Sequence, residues 1–393
     1  MSSTAAPLAA VGSLSLLLSA AVLPVSAHAS PSAQPSGPTD PPGTVQSATY
    51  TLGDDALEIP GYDAPVELTG IVHYPTTPGE HPVVVLSHGM WWTCTDDDST
   101  WPCLEGAEPI ESYRGYDELA EGLAGEGFVV VSVSANGVNG GPMGQAADHA
   151  RAAIVMEHLQ QFQQIADDGE GPLSDVFTDP ETGETKDVDL VGAMDFENVG
   201  VLGHSRGGRA AAWQAASKNR ASWPDGISIR AVTLLGAVGY YAPDPEAPEH
   251  DDYRITDVPF LTMTGTCDYA SRDASAYIEN SRGRTDQPIH SVTFTGSNHN
   301  YYNTQWSPDS GVAHAENDAP TDDAHPGKCT SPFGTGSEWV TQLSEPDQRW
   351  VSGQYISAFF RAYLMDDPSG RAILEGTTPV RPDITSLETI LPR

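Results

Sequence analysis

The sequence predicts an α/β fold, a mainly parallel sheet with helices on both faces. Two observations carry this. Three short apolar runs, Val83-Val84-Val85-Leu86, Phe128-Val129-Val130-Val131-Ser132-Val133 and Val199-Gly200-Val201-Leu202, lack the alternation of a half-exposed strand and suit strands covered on both sides. Between them lie stretches with helical spacing of apolar residues, so β and α signals alternate from about residue 46 to 365. That order makes parallel crossovers. With 393 residues, 39% of them hydrophobic, the chain can fill a core, which excludes a collagen, a coiled coil or a wholly disordered polymer.

Taken in order, Ala48-Thr49-Tyr50-Thr51-Leu52 and residues 66–74 predict two opening strands in a hairpin. Val83 begins the first buried strand. Residues 116–124 have amphipathic helical spacing, and Gly127 leads into the second buried strand. Residues 148–166 predict a long helix with Ile154, Leu159, Phe162 and Ile165 on its inner face. The acidic segment 167–189 holds two Gly-containing turns, which predicts a surface insertion. Val199 starts the third buried strand, which runs straight into Gly203-His204-Ser205-Arg206-Gly207-Gly208, and 209–219 follows as a helix with an Ala-rich face. Later strands are expected at 231–235, 260–264 and 291–295, and a closing helix at 347–365 carries Tyr355, Phe359, Phe360 and Leu364. No internal repeat breaks this order, so 46–393 reads as one domain.

The first 39 residues carry no Asp, Glu, Lys or Arg, and Asp40 is the first such side chain. Before it, 11–25 is a short apolar run rich in Leu and Ala, followed by Ala27-His28-Ala29, a small-x-small pattern. Together these predict a secretory signal peptide over 1–29 and an extracellular protein; the positive charge of its first region would come from the α-amino group alone. The run is too short and too Ser-broken for a transmembrane helix. No Cys precedes Cys94 to carry a lipid, so no stable membrane anchor is expected. Residues 30–45, rich in Pro, Ser and Gly, predict a disordered leader.

Fifty-four acidic against 18 basic residues leave a formal net charge of −36, with Lys186, Lys218 and Lys328 the only lysines. Such a surface repels phosphate backbones and excludes nucleic-acid binding. The acidic excess keeps a protein soluble and suggests adaptation to high salt, where screening relieves self-repulsion. A monomer is the expected state. Cys94, Cys103, Cys267 and Cys329 form an even set in an exported chain, which predicts two disulfides with three possible pairings. Cys94 with Cys103 would close a short loop; Cys267 with Cys329 would close one worth about 4 kcal/mol in chain entropy.

The chemistry concentrates at three strand ends. Gly203-His204-Ser205-Arg206-Gly207 is a G-x-S-x-G sequence between a strand and a helix, where it forms a tight elbow that presents Ser205 as nucleophile. Gly203 and Gly207 are needed because side chains there would collide. A serine hydroxyl needs a base, and in this architecture the acid and then the His come later in the chain. Asp268 ends the strand-like Thr262-Met263-Thr264 segment and is the candidate acid, with Asp273 as the alternative; His299 follows the 291–295 strand and is the candidate base. An oxyanion needs two main-chain donors, here expected from Arg206 N–H and from Met90 N–H in Ser87-His88-Gly89-Met90-Trp91. His88 lies at the wrong strand for the base and reads as structural. The acid runs Asp96-Asp97-Asp98 and Glu249-His250-Asp251-Asp252 do not match a calcium loop. Gly140-Gly141 lacks a phosphate loop's spacing and Lys. No metal and no cofactor are expected.

Over most of residues 46–365 the chain resembles the secreted α/β-hydrolases related to platelet-activating-factor acetylhydrolases, chlorophyllases and bacterial polyester hydrolases. The resemblance rests on Ser87-His88-Gly89, on Gly203 to Gly208, on Asp268 after its strand and on Asn298-His299-Asn300. It implies an α/β-hydrolase fold and hydrolysis of a small-molecule or polymeric ester through an acyl-enzyme. Departures are the 167–189 insertion, the Cys94–Cys103 segment and a long excursion over 302–342. A bridge from Cys267 to Cys329 would clip the loops of the acid and the base together. Trp91, Trp92, Tyr301, Tyr302 and Trp306 flank the catalytic positions as candidate linings of an apolar acyl or aromatic pocket, with core or lid packing the equal alternative. An amidase or peptidase on the same scaffold, and a catalytically silent binding protein, are the rival readings.

Overall fold

The structure is a computed structural model that describes residues 44–392 apart from 97–98, 241–247, 272–273, 313–314, 320–322 and 331–337. The expected signal peptide, nearly all of the expected leader, and Asp97, Asp98 and Asp273 lie outside the described residues. The first strand begins at Val45, at the end of the segment expected to be disordered.

Strand and helix alternate through β1 (Val45–Thr51), β2 (Thr69–Pro75), β3 (His81–Ser87), α1 (Asp117–Gly125), β4 (Val129–Val133), α2 (Asn136–Gly140), α3 (Gln145–Asp168), β5 (Met194–His204), α4 (Arg206–Ala215) and β6 (Ile229–Leu235). The second half adds α5 (Pro248–Asp251), β7 (Phe260–Gly265), α6 (Ser275–Ser281), β8 (Ile289–Phe294), β9 (Lys328–Thr330), β10 (Trp339–Thr341), α7 (Glu345–Leu364), α8 (Pro368–Leu374) and β11 (Thr385–Ile390). Nine strands form one sheet in the order β1-β2-β4-β3-β5-β6-β7-β8-β11. The six strands from β4 to β8 run parallel. The β1–β2 hairpin, the β2–β4 pair and the β8–β11 pair are antiparallel. None of α2, α5, α6, α8, β9, β10 and β11 was expected from the sequence; β11 follows the closing helix and has only half-buried and exposed positions.

The apolar runs become strands because both faces of the sheet are covered. Val83, Val85, Val129, Val131, Val199, Val201, Val232 and Leu234 point into one core with α3 and α4. The residues between them, Val84, Leu86, Val130, Leu202, Ala231 and Leu235, point into the other with α1 and α7. A two-residue period therefore persists, but both phases are apolar. The helix preceding β4 and the helix preceding β5 lie on opposite faces, so the strand order reverses between β3 and β5. Such a reversal opens a crevice at the carboxyl ends of the strands.

The 167–189 segment is more than a surface insertion. Phe177 and Leu173 are fully buried, and the Phe177 ring packs 5.9 Å from Tyr50 and 6.2 Å from Phe162. Thr178 exchanges main-chain hydrogen bonds with Thr49 at 2.9 and 2.8 Å. The segment thereby occupies part of the free edge of β1, which would otherwise offer unpaired donors and acceptors.

Of the three possible cysteine pairings, the structure has Cys94–Cys103 and Cys267–Cys329, with Cα separations of 5.7 and 5.6 Å, and no cysteine is free. Among the described residues no helix is long and apolar enough to cross a membrane.

Candidate active site

Ser205 sits between the last residue of β5 and the first of α4, at φ 59° and ψ −119°. A non-glycine residue in that region is strained by about 1–3 kcal/mol, and its surroundings hold it there. Ser205 N–H donates to Leu235 O at 3.0 Å, and Ser205 O accepts from Gly208, Arg209 and Val238 N–H at 3.0, 3.2 and 3.2 Å. The glycines are a matter of space. A Cβ at Gly203 would lie 2.1 Å from Gly207 O, and one at Gly207 would lie 2.3 Å from Ser87 O. The N–H of Arg206, in the first helical position, has no intrahelical acceptor.

Asp268 follows β7 and His299 follows β8, so both stand at the same sheet edge as Ser205. Asp268 is completely buried. Its Oδ1 accepts from the N–H groups of Ala270 and Ser271 at 3.0 and 2.8 Å, and its Oδ2 accepts from Ser271 Oγ and, at 3.0 Å, from His299 Nδ1. Burial would raise the Asp268 pKa, but the His299 charge and these donors outweigh it and hold the carboxyl below its ordinary value. Burial likewise opposes the charged form of His299, yet the Asp268 carboxylate outweighs it and raises the imidazole pKa. An ionised Asp268 can only accept, so the proton of neutral His299 is on Nδ1 and Nε2 carries a lone pair.

Ser205 is brought beside this pair through two connections. The ring of His204, its chain neighbour, is 4.8 Å from the His299 ring. The turn after β6 bonds to both Ser205 main-chain groups through Leu235 and Val238, and its Gly236, at φ +48°, passes across Asp268 and His299. A Cβ at Gly236 would lie 3.1 Å from Asp268 Oδ2 and 3.3 Å from His299 Nδ1. Asp268 and His299 are hydrogen-bonded, whereas no hydrogen bond joins Ser205 Oγ to His299 among the described residues. Nucleophile–base bonds are often loose without substrate and tighten when it binds.

The third strand end carries the segment from which the second main-chain donor is expected. A Cβ at Gly89 would be 2.5 Å from Ser205 Cβ, so only glycine lets this chain approach Ser205. His88 is fully buried, and its Nε2 accepts from Ala135 N–H at 2.8 Å. Its proton is therefore on Nδ1, which donates to Gly89 O at 2.8 Å. Burial pushes its pKa down to about 3, so it is a neutral structural group. Asn139 Nδ2 also donates to Gly89 O, at 3.2 Å, and Asn139 Oδ1 accepts from Arg151 Nη2. In a trans peptide the C=O and the following N–H point in opposite directions. Anchoring Gly89 O from two sides therefore turns Met90 N–H the other way, and that N–H has no partner among the described residues.

The anchor has its own support. Asn139 lies on α2, whose N-terminus lacks a side-chain cap from the preceding residue. Instead the buried Glu67 carboxylate accepts from Asn136 N–H, Gly137 N–H and Ser134 Oγ at 2.6, 2.8 and 2.6 Å. Glu67, Asn139, Arg151 and Gly236 were not singled out from the sequence. The legible signal was Arg151, a cation set among Ala150, Ala152 and Ile154 on a helix otherwise packed into the core.

The candidate pocket residues divide. Met90 and Trp92 are 38% and 37% exposed beside the site. Trp91 is partly exposed and stacks on Trp306 at 5.0 Å, and Tyr301 is also partly exposed. Trp306 and Tyr302 are buried. Trp306 packs 4.8 Å from His204 and donates from Nε1 to Ser112 Oγ at 3.0 Å, so it supports Trp91 and His204 from behind instead of presenting a surface. Among the described residues no cluster of three His, Cys, Asp or Glu side chains is placed to hold a metal ion.

No protein-family model matches this chain, and no curated protein matches it.

Proposed function

We propose that the protein is a secreted serine hydrolase of carboxylic esters on an α/β-hydrolase scaffold. The observation that carries this reading is the hydrogen-bonded Asp268–His299 pair beside a strained Ser205 at the carboxyl edge of the sheet. The strand order, with its reversal between β3 and β5, supports the scaffold. The two disulfides favour an oxidising compartment.

The chemistry follows from the geometry. His299 Nε2 takes the Ser205 proton as Oγ attacks the acyl carbon, and Asp268 stabilises the imidazolium. Negative charge on the carbonyl oxygen falls to the N–H groups of Met90 and Arg206. Imidazolium returns the proton to the departing alcohol, and water repeats the cycle on the acyl-enzyme. Because the base must be neutral, and Asp268 raises its pKa, kcat/KM is expected to climb with pH and level off above the ordinary histidine range.

A fluorophosphonate probe tests the reading directly. It is expected to label Ser205, located by peptide mass, in parallel with loss of para-nitrophenyl ester hydrolysis. An unlabelled Ser205 would sink the proposal in favour of a silent binding protein. Faster cleavage of the matching anilide than of the ester would make the enzyme an amidase.

The support under the oxyanion segment gives a second expectation. Asn139→Ala removes one donor from Gly89 O and leaves the Arg151 guanidinium short of an acceptor, a local loss of about 1–3 kcal/mol. It should lower kcat about tenfold or more, with KM changed less. Steady-state kinetics beside a thermal melt would check this, and an unchanged kcat would remove Asn139 from the supporting set.

A further inference from the structure

We infer that Asp318 is a positioning residue for the acid–base pair: its one carboxylate binds the main chains of the base-bearing and acid-bearing loops together and places a second negative charge behind the imidazole. The inference rests on the reading of His299 as the general base.

The link runs through the main chain. After β7 and β8 the two loops continue to pair, with Thr266 N–H donating to Phe294 O and Cys267 N–H to Ser297 O, both at 2.9 Å. Beyond that point the N–H groups of Tyr269 and His299 are satisfied by a side chain. Asp318 Oδ2 accepts from Tyr269 N–H at 2.9 Å, and Oδ1 accepts from His299 N–H at 2.7 Å. A carboxylate thus does at this place what a strand carbonyl does earlier. It does so one residue from the acid on one side and at the base itself on the other.

Asp318 is delivered by a fixed stretch. Glu316 N–H donates to Trp306 O at 2.9 Å, and Glu316 O accepts from Asn300 Nδ2 at 3.0 Å. Asn317 Nδ2 donates to Gln342 Oε1, which also accepts from Asn298 Nδ2. Ala319 packs in a small buried cluster with Cys267 and Cys329. The disulfide therefore ties the acid loop to the excursion that carries Asp318, and Asp318 makes the direct link to the base loop.

Among the described residues the charged and titratable surroundings are few. Asp268 approaches from the end of β7, His204 from the end of β5, and Tyr301 and Tyr302 from the turn after His299, each tyrosine with its pKa raised by burial. Burial, and then the negative charge of Asp268, push the Asp318 pKa up to about 6. Its ionised form favours the imidazolium, alongside the larger effect of Asp268. Removing that charge should make His299 easier to deprotonate.

The test reads His299 itself, by NMR titration of its ring in the full-length protein, beside kcat/KM against pH with a para-nitrophenyl ester. Asp318→Asn is expected to lower the His299 pKa by about half a unit or more. The acid limb of kcat/KM should move to lower pH by the same amount, and the plateau rate should fall several-fold as one loop contact is lost. Asp318→Glu, which keeps the charge, should hold the pKa near the parent value. Asp318→Ser removes the charge but keeps an acceptor, and carries the same expectation as Asp318→Asn if that variant fails to fold. An unchanged His299 pKa in the neutral variants overturns the inference, and so does failure of both to fold, which would make Asp318 structural. If ester hydrolysis instead proves independent of Ser205, the functional reading fails while the ring titration still decides whether Asp318 acts on His299.

Discussion

Replacing Ser205 by Ala is expected to lower kcat by roughly four to six orders of magnitude while the fold and its melting temperature stay within a few degrees of the parent. The asymmetry follows from what the side chain does. The main chain at this position is held by Leu235, Gly208, Arg209 and Val238, all of which bond to groups that alanine retains. Alanine and serine bear the same strain at φ 59°. No side-chain cap of α4 is lost, since Ser205 provides none. Only the nucleophile disappears. Measured on a para-nitrophenyl ester with a thermal melt in parallel, hydrolysis within tenfold of the parent would refute the role of Ser205.

Asp268→Asn should cost on the order of 10⁴ in kcat, for a different reason. The new carbonyl can still accept from Ala270 and Ser271 N–H, so the turn survives. The amide nitrogen then faces His299 Nδ1 and donates to it. That moves the imidazole proton to Nε2, which presents a donor where the Ser205 hydroxyl needs an acceptor. Loss of the negative charge also removes the main influence raising the His299 pKa, so the acid limb of the pH profile should move down as the plateau collapses. A drop smaller than tenfold, with no shift of the limb, would assign the acid's role elsewhere.

Much of this molecule was legible in its sequence. The runs at Val83, Phe128 and Val199 became β3, β4 and β5, because an uninterrupted apolar run is stable as a strand only when both faces are covered. The G-x-S-x-G segment became a strand–turn–helix with a strained serine, because glycines were present where side chains would collide. The disulfide set was legible in number, and the Cys267–Cys329 bridge was suggested as a clip between two loops; spacing alone leaves three pairings open, and the fold selects this one. The 167–189 segment misled: its acidic turns advertise a surface loop, while Phe177 and Leu173 anchor it in the core and Thr178 pairs along β1. For Trp306 the sequence left pocket lining and core packing equally open, and burial decides for packing.

By itself the sequence determined the strands of the parallel sheet, its long helices, and that Ser205, Asp268 and His299 follow three strand ends, because periodicity, glycine placement and chain order are local properties. Only the tertiary structure decided how those ends are held. Asn139 and Arg151 under Gly89, Gly236 across the acid–base pair and Asp318 between the two loops act through contacts between segments distant in sequence. Such contacts leave no periodic trace along the chain.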